Sequence, residues 1–356
     1  MTRIEKLRNA MSAAGIDGFY VTSPENHRYF SNFNNPDGQL LITMDRAFMF
    51  ADFRYTEAAK REAADGFEVV MPESGDDRVV KRYAEECGVK TLGFEEDVLC
   101  YAEYSELKAS LSSCELVPAA KLPRDIRVIK EDREVAAMEK AQRIAEKALE
   151  ELLGVITYGM TETEVAAELE YRMKKLGSDG AAFETIAVSG KNSSSPHGVP
   201  RPVKLEKGFL TLDFGAMIDG YKSDMTRTVV IGKADNDMKK LYDTVLKAQC
   251  AAIDVIAEGK NNFEMDKIAR DIIYAAGYEG CFGHSLGHGV GLLIHESPNL
   301  SPRSPKDMTL RCGEVVTVEP GIYVEGKYGC RIEDMVLITP GGSRNLTKAP
   351  KELIEI

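Results

Sequence analysis

Two carboxylates stand where a strand ought to be apolar. Asp213 lies in "FLTLDFGAM" and Glu319 in "VVTVEPG". Such runs read as buried strand, and a buried charge is too costly to stand without a partner. A chain that carries them must fold so that groups from elsewhere reach both. Asp224, closing "LTLDFGAMIDGYKSD", and Glu333, in "RIEDMVLI", also border short apolar strands. Any one of the four alone reads most simply as a solvent-facing strand residue. Together they call for a common explanation.

A second concentration is "CFGHSLGHGVGLLIHESP", residues 281–298. It holds three of the five histidines: His284, His288 and His295. The spacing of the first two matches that of a helical HExxH zinc motif. Ser285 stands where that motif needs Glu, however. Gly283, Gly287, Gly289 and Gly291 each oppose a helix by about 1 kcal/mol. If the segment is extended, four residues span about 13 Å, and the two imidazoles cannot share one small coordination sphere. One ligand histidine is expected, with its neighbours reaching toward substrate. The glycines are expected to let the backbone approach ions and substrate.

Four converging carboxylates would repel one another, and some would be forced to take protons. Two divalent cations remove the conflict. Oxygen-rich ligation with one imidazole suits manganese, cobalt, iron or zinc. Two ions need more bonds than five single contacts provide, so shared carboxylates are expected, at an ion separation of about 3.5–4 Å.

The bulk numbers narrow the setting. A length of 356 residues suits two domains. The formal net charge of −12 argues against nucleic acid as a partner. No apolar run approaches the roughly 18 residues that would span a bilayer. The N-terminus reads as an amphipathic helix on Ile4, Leu7 and Met11, stopped by Gly15, and not as a signal peptide. Seven cysteines without a CxxC spacing argue against a disulfide framework or a thiolate zinc site. A reduced, cytoplasmic setting is expected.

Residues 1–120 alternate strand-like and helix-like segments, the pattern of an α/β layer. Strands are expected at 17–23, 39–44, 47–52 and 90–97, and helices at 54–64 and 77–87. "VPAAKLPRDIRVIK", residues 117–130, has two prolines and little periodicity and reads as a linker. A long helix follows, with Val135, Met138, Ala145, Leu149 and Leu152 on one stripe. A second helix has a capping box at Thr161 and Glu164 and a stop at Gly177. Beyond residue 184 short strands alternate with helices near 235–258 and 263–275. This is an α+β arrangement with an antiparallel sheet.

The phrases "LDFGA", "SDMTRT", "HSLGHGVGL", "HESP", "VEPGIY" and "RIEDMV", in that order, resemble the proline-specific metallopeptidases, the Xaa-Pro aminopeptidases and prolidases. These share the pita-bread fold with methionine aminopeptidase and creatinase. The resemblance covers essentially the whole chain and is strongest over 184–338. It implies a creatinase-like N-terminal α/β domain at 1–122 and a pita-bread catalytic domain at 123–356. It also implies that Asp213, Asp224, His288, Glu319 and Glu333 bind two metal ions, with Asp224 and Glu333 bridging. Manganese is expected first, with cobalt, iron or zinc as alternatives. Glu319 falls on the family's proton shuttle, and His197, in "SSSPHGVP", on a histidine near the scissile peptide. His284 and His295 match histidines that support the ligands and face the substrate. Arg331 matches an arginine that supports the ligands. A hydroxide held by the two ions would attack the Xaa-Pro carbonyl, and Glu319 would pass the proton to the prolyl nitrogen.

The implied substrates are small peptides with proline in second position, and the implied assembly is a homodimer. Creatinase lacks this metal set, and methionine aminopeptidase usually lacks a large N-terminal domain. A non-catalytic binding module is the rival of a different class. Between the two peptidase activities, some microbial prolidases place an arginine just after the proline of the "HExP" loop. Asn299 stands there in this chain, and Arg303 is the nearest basic residue. This tilts the expectation toward an aminopeptidase over a dipeptidase. His27, in "SPENHRYFSNF", is expected at the surface or in domain packing.

Overall fold

The computed structural model describes residues 1–73, 76, 78–112 and 114–356. They form two compact units, Met1–Arg127 and Val128–Ile356. None of the described helices is long and apolar enough to cross a membrane.

The first unit is built on a six-stranded mixed sheet. From edge to edge its strands are Glu68–Val70, Ala47–Phe50, Gln39–Thr43, Gly18–Val21, Thr91–Phe94 and Glu115–Pro118. Phe19, Leu40, Leu41, Ile42, Phe48 and Met49 are fully buried. Adjacent residues on one strand point to opposite faces, so both faces of the sheet are covered. The helix Arg3–Ala14 buries Ile4, Leu7 and Met11. Thr2 and Glu5 form a capping box at its start, and Gly15 ends it at φ 68°, a conformation that disfavours a Cβ.

The expected helix over 54–64 forms over Thr56–Glu62, and that over 77–87 over Val79–Glu86. Asp77, the first residue of the latter expectation, lies outside the described residues. The two edge strands, of three and four residues, are too short to show an alternation and escape sequence reading. The segment read as a linker contains the helix Lys121–Val128. Pro123 sits in its first turn, where a missing N–H leaves no helical bond unmade. The break between the two compact units falls after Arg127, within this helix.

In the second unit Gly208–Phe214 pairs with Ile186–Ser189 on one side and Met225–Ile231 on the other. A five-stranded sheet runs in the order Glu296–Leu300, Gly287–Gly289, Val315–Val318, Asp334–Thr339, Gly342–Asn345. A ribbon joins Gly321–Val324 to Tyr328–Arg331, and a shorter one joins Met217–Ile218 to Tyr221–Lys222. Every pairing among these strands is antiparallel.

Period two then sorts the side chains. Leu210, Leu212 and Phe214 pack with the helices Asp132–Leu153 and Glu162–Lys175. Phe209 packs in a second core with Asn236–Val255 and Asn262–Ala275. Asp213 shares the parity of Phe209 and so turns away from the first helix pair. Val316 and Val318 belong to the second core, which turns Thr317 to the opposite face.

Candidate metal centre

The carboxylates reach one place because each lies on or just beside a strand of the antiparallel sheets. Asp213 lies opposite Thr226 in register. Asp224 immediately precedes Met225–Ile231, and Glu333 immediately precedes Asp334–Thr339. The two strand starts are tied together by the Glu333 amide donating to the Thr226 carbonyl at 3.1 Å. Glu319 follows Val315–Val318, and its amide donates to the Leu286 carbonyl at 2.8 Å. That bond sets it beside His288, the centre of Gly287–Gly289.

The histidine segment is extended at this point, so HExxH geometry does not arise. Two of its glycines also answer to close packing of the strands. A Cβ at Gly287 would collide with the Thr317 carbonyl, and one at Gly289 with the Ser297 carbonyl. Neighbouring backbone thus demands glycine at these two positions. A Cβ at Gly283 would meet nothing.

Asp224, His288 and Glu333 each offer a ligand atom, all within 4.8 Å of one another. His288 Nε2 lies 3.7 Å from Asp224 Oδ2 and 3.2 Å from Glu319 Oε1. Its Nδ1 lies 3.1 Å from the Gly289 carbonyl. A carbonyl only accepts, so Nδ1 carries a proton. Without a metal Nε2 carries one too and donates to Glu319 Oε1, and loss of that second proton would free the Nε2 lone pair for a cation. This is the orientation in which imidazole ligates metal. Asp213 Oδ2 accepts from Arg331 Nη2 at 2.5 Å, while its Oδ1 is buried with no hydrogen-bond partner.

Burial, and next the charge of Asp213, pushes Asp224 well above the carboxylate range. Burial, and next Asp224, does the same to Glu333. Burial also pushes Glu319 up, but the hydrogen bond and charge of His288 outweigh it and hold Glu319 at about 2. Burial pulls His288 down, but Glu319 and Asp224 outweigh that and raise it to about 9. The protein's own cations therefore do not suffice to keep all four carboxylates ionised. The donor set, with its orphaned Asp213 oxygen, fits divalent cations.

Arg331 is buried behind the cluster. It donates to Thr226 Oγ1 at 3.0 Å, to the Tyr323 hydroxyl at 2.6 Å and to the Pro196 carbonyl at 3.2 Å, besides Asp213. Thr226 Oγ1 in turn donates to Glu333 Oε2 at 2.7 Å. Thr317 Oγ1 donates to Glu319 Oε1 and accepts from the His288 amide, both at 3.0 Å. Thr226, Thr317 and Tyr323 were not singled out from sequence. The only signal is position, two residues along a strand from Asp224 and from Glu319.

All nine expected site residues line one cavity of about 410 Å³. His197 and His295 are exposed in its wall, and the His295 ring packs edge-on at 4.4 Å from that of His288. His284 is less free than expected. Its Nδ1 lies 2.8 Å from the Ser285 carbonyl and its Nε2 lies 3.0 Å from the Tyr323 hydroxyl, so both ring nitrogens are engaged within the protein. Phe183, Ile186, Val199, Pro200 and Ile294 give the cavity an apolar side. Asn299 and Arg303 are not among its lining residues. His27 is not a surface residue. It is fully buried in the helix Pro24–Ser31 of the first unit, with Nδ1 3.3 Å from the Phe33 carbonyl and Nε2 without a partner.

Residues 136–340 match Metallopeptidase family M24, and residues 3–129 match the Creatinase/Prolidase N-terminal domain. An Xaa-Pro dipeptidase of Pyrococcus horikoshii is 39% identical over 99% of this chain and 98% of its own. The structure of an Xaa-Pro dipeptidase from Bacillus anthracis superposes with a TM-score of 0.95 at 43% identity, covering 99% of both chains. That of an X-Pro aminopeptidase from Thermotoga maritima gives 0.92 at 36% identity and covers both chains completely.

Proposed function

The chain belongs to metallopeptidase family M24, and from that premise we propose that it is an Xaa-Pro peptidase that works with two divalent cations and prefers peptides longer than two residues. Asp213, Asp224, His288, Glu319 and Glu333 would hold the ions, with Asp224 and Glu333 shared between them. Bound there, the cations would acidify a water and polarise the scissile carbonyl. Manganese is the proposed metal. A homodimer in the cytoplasm, with residues 1–122 as the creatinase-like domain and 123–356 as the catalytic domain, completes the proposal.

The chain's own groups supply the rest. His197 and His295, exposed in the cavity wall, donate to the carbonyl oxygen as it gains charge. Glu319 receives the water's proton on the oxygen that Thr317 does not engage. It delivers that proton to the prolyl nitrogen, which has no N–H of its own and leaves poorly unless protonated. Arg331 and Thr226 hold Asp213 and Glu333 in place.

One observation carries the preference for longer peptides. Among the described residues Arg331 is the only lysine or arginine lining the cavity, and it is engaged with Asp213, Thr226, Tyr323 and Pro196. A dipeptide places a free carboxylate directly after proline, and among the described residues no free lysine or arginine lines the cavity to receive it. Restriction to dipeptides is the second reading, favoured by the relatives named Xaa-Pro dipeptidase. The manganese- and cobalt-loaded protein should be assayed on Ala-Pro and on a longer peptide beginning Ala-Pro. We expect faster cleavage of the longer peptide at the Ala-Pro bond. Cleavage of the dipeptide alone would establish the second reading instead.

A further inference from the structure

His197 sits on an irregular segment, and such segments position side chains poorly unless something fixes them. The group that fixes this one is Glu162, a fully buried carboxylate at the start of the helix Glu162–Lys175. Its Oε1 accepts from the Ser189 amide at 2.7 Å, the Ser189 hydroxyl at 2.9 Å and Arg201 Nη2 at 3.0 Å. Its Oε2 accepts from Asn192 Nδ2, the Arg201 amide and Arg201 Nε, all at 3.0 Å. Six donors thus meet two oxygens, and all six come from residues 189–201. Asn192 Nδ2 also donates to the Val199 carbonyl at 3.2 Å, just past His197. From the other side, Arg331 holds the carbonyl of Pro196, just before it, at 3.2 Å.

We propose that Glu162 is a positioning residue that aims His197 at the substrate carbonyl, by gathering both ends of the 189–201 segment onto one carboxylate. The proposal rests on the role given to His197 above. Nothing else in the helix start explains a buried charge, since the helix is already capped by Thr161 and Glu164. A carboxylate suits the task because it only accepts, and every group that meets it donates. Glutamine at the same place would turn an NH₂ toward a guanidinium or an amide, setting donor against donor. Arg201 contributes through the fork of its guanidinium, which lysine does not have.

The test uses Glu162→Gln, Arg201→Lys and Asn192→Ala, each alone and combined with His197→Ala, on a peptide beginning Ala-Pro. Asn192 is half-buried and the Arg201 side chain is 41% exposed, so these two variants keep the test readable should Glu162→Gln not fold. Each single variant is expected to lower kcat on the order of tenfold to a hundredfold, the loss associated with an ångström of misplacement. Bound metal should be unchanged. In the His197→Ala background none should lower kcat further, because a residue that acts through His197 has nothing left to act on. An unchanged kcat in the folded single variants would overturn the proposal. So would an equal loss with and without His197. If His197→Ala itself keeps full kcat, the role of His197 fails first and the positioning role falls with it.

Discussion

Thr226 Oγ1 gives its proton to Glu333 and takes one hydrogen bond from Arg331 Nε. Valine has nearly the same shape and neither capacity. Thr226→Val should leave two buried charged groups short of a partner, at about 1–3 kcal/mol. Its metal affinity should fall about 10–100-fold, as for other groups that orient a ligand; a titration that shows unchanged affinity would refute the bond's importance. Nothing in the sequence announces this threonine, because threonine in a strand is ordinary. Asp213 and Glu319 are conspicuous for the opposite reason, as charges inside apolar runs. His27, expected at the surface or in domain packing, is packed inside the first unit. Its surroundings in sequence are polar, yet burial lowers it to about 4. Its folded pKa lies below the unfolded value near 6.5, so the unfolded chain binds the proton more readily. Its neutral form therefore supports the fold fully above pH 6.5. Between pH 6.5 and 4 the wild type should lose about 3 kcal/mol that a folded His27→Gln variant does not lose. Denaturant titrations across that window measure the difference, and parallel curves would contradict it.

At the scale of elements, helices with chemical punctuation were legible and short edge strands were not. The helix Glu162–Lys175 follows from Thr161, Glu164 and Gly177, which cap and stop it as their chemistry requires. Glu68–Val70 shows no alternation to read, and its partner Ala47–Phe50 lies far away in sequence. Lys121–Val128 was missed because Pro123 breaks a helix everywhere except the first turn. The glycines of the histidine segment signal that it is not a helix, but the packing at Gly287 and Gly289 lies in tertiary contacts that no local pattern encodes. That packing makes a sharp contrast. Gly287→Ala must push the Thr317 carbonyl away and should cost about 1–3 kcal/mol, the usual range for overpacking. Gly283→Ala, with open space around its added methyl, should unfold within about 0.5 kcal/mol of wild type. Equal effects of the two substitutions would show that strand approach is not what selects Gly287.

For the whole molecule, five residues scattered over more than a hundred positions become neighbours because antiparallel strands bring their ends together. Sequence alone carried their chemical kind and their order. It did not carry the Arg331, Tyr323 and His284 chain of hydrogen bonds that locks the wall behind them, since each link joins separate strands or loops. The match to family M24 and to its N-terminal domain runs along nearly the entire chain, and the net charge of −12 suits a protein that gathers cations. The central claim is that four carboxylates and one imidazole hold two ions that hydrolysis needs. Titrating manganese into chelator-treated protein, while following cleavage of a peptide beginning Ala-Pro, tests it most directly. Activity should be absent at the start, rise to a break at about two equivalents, and never appear in Asp224→Ala. Full activity in the chelator, or full activity of Asp224→Ala, would contradict the account.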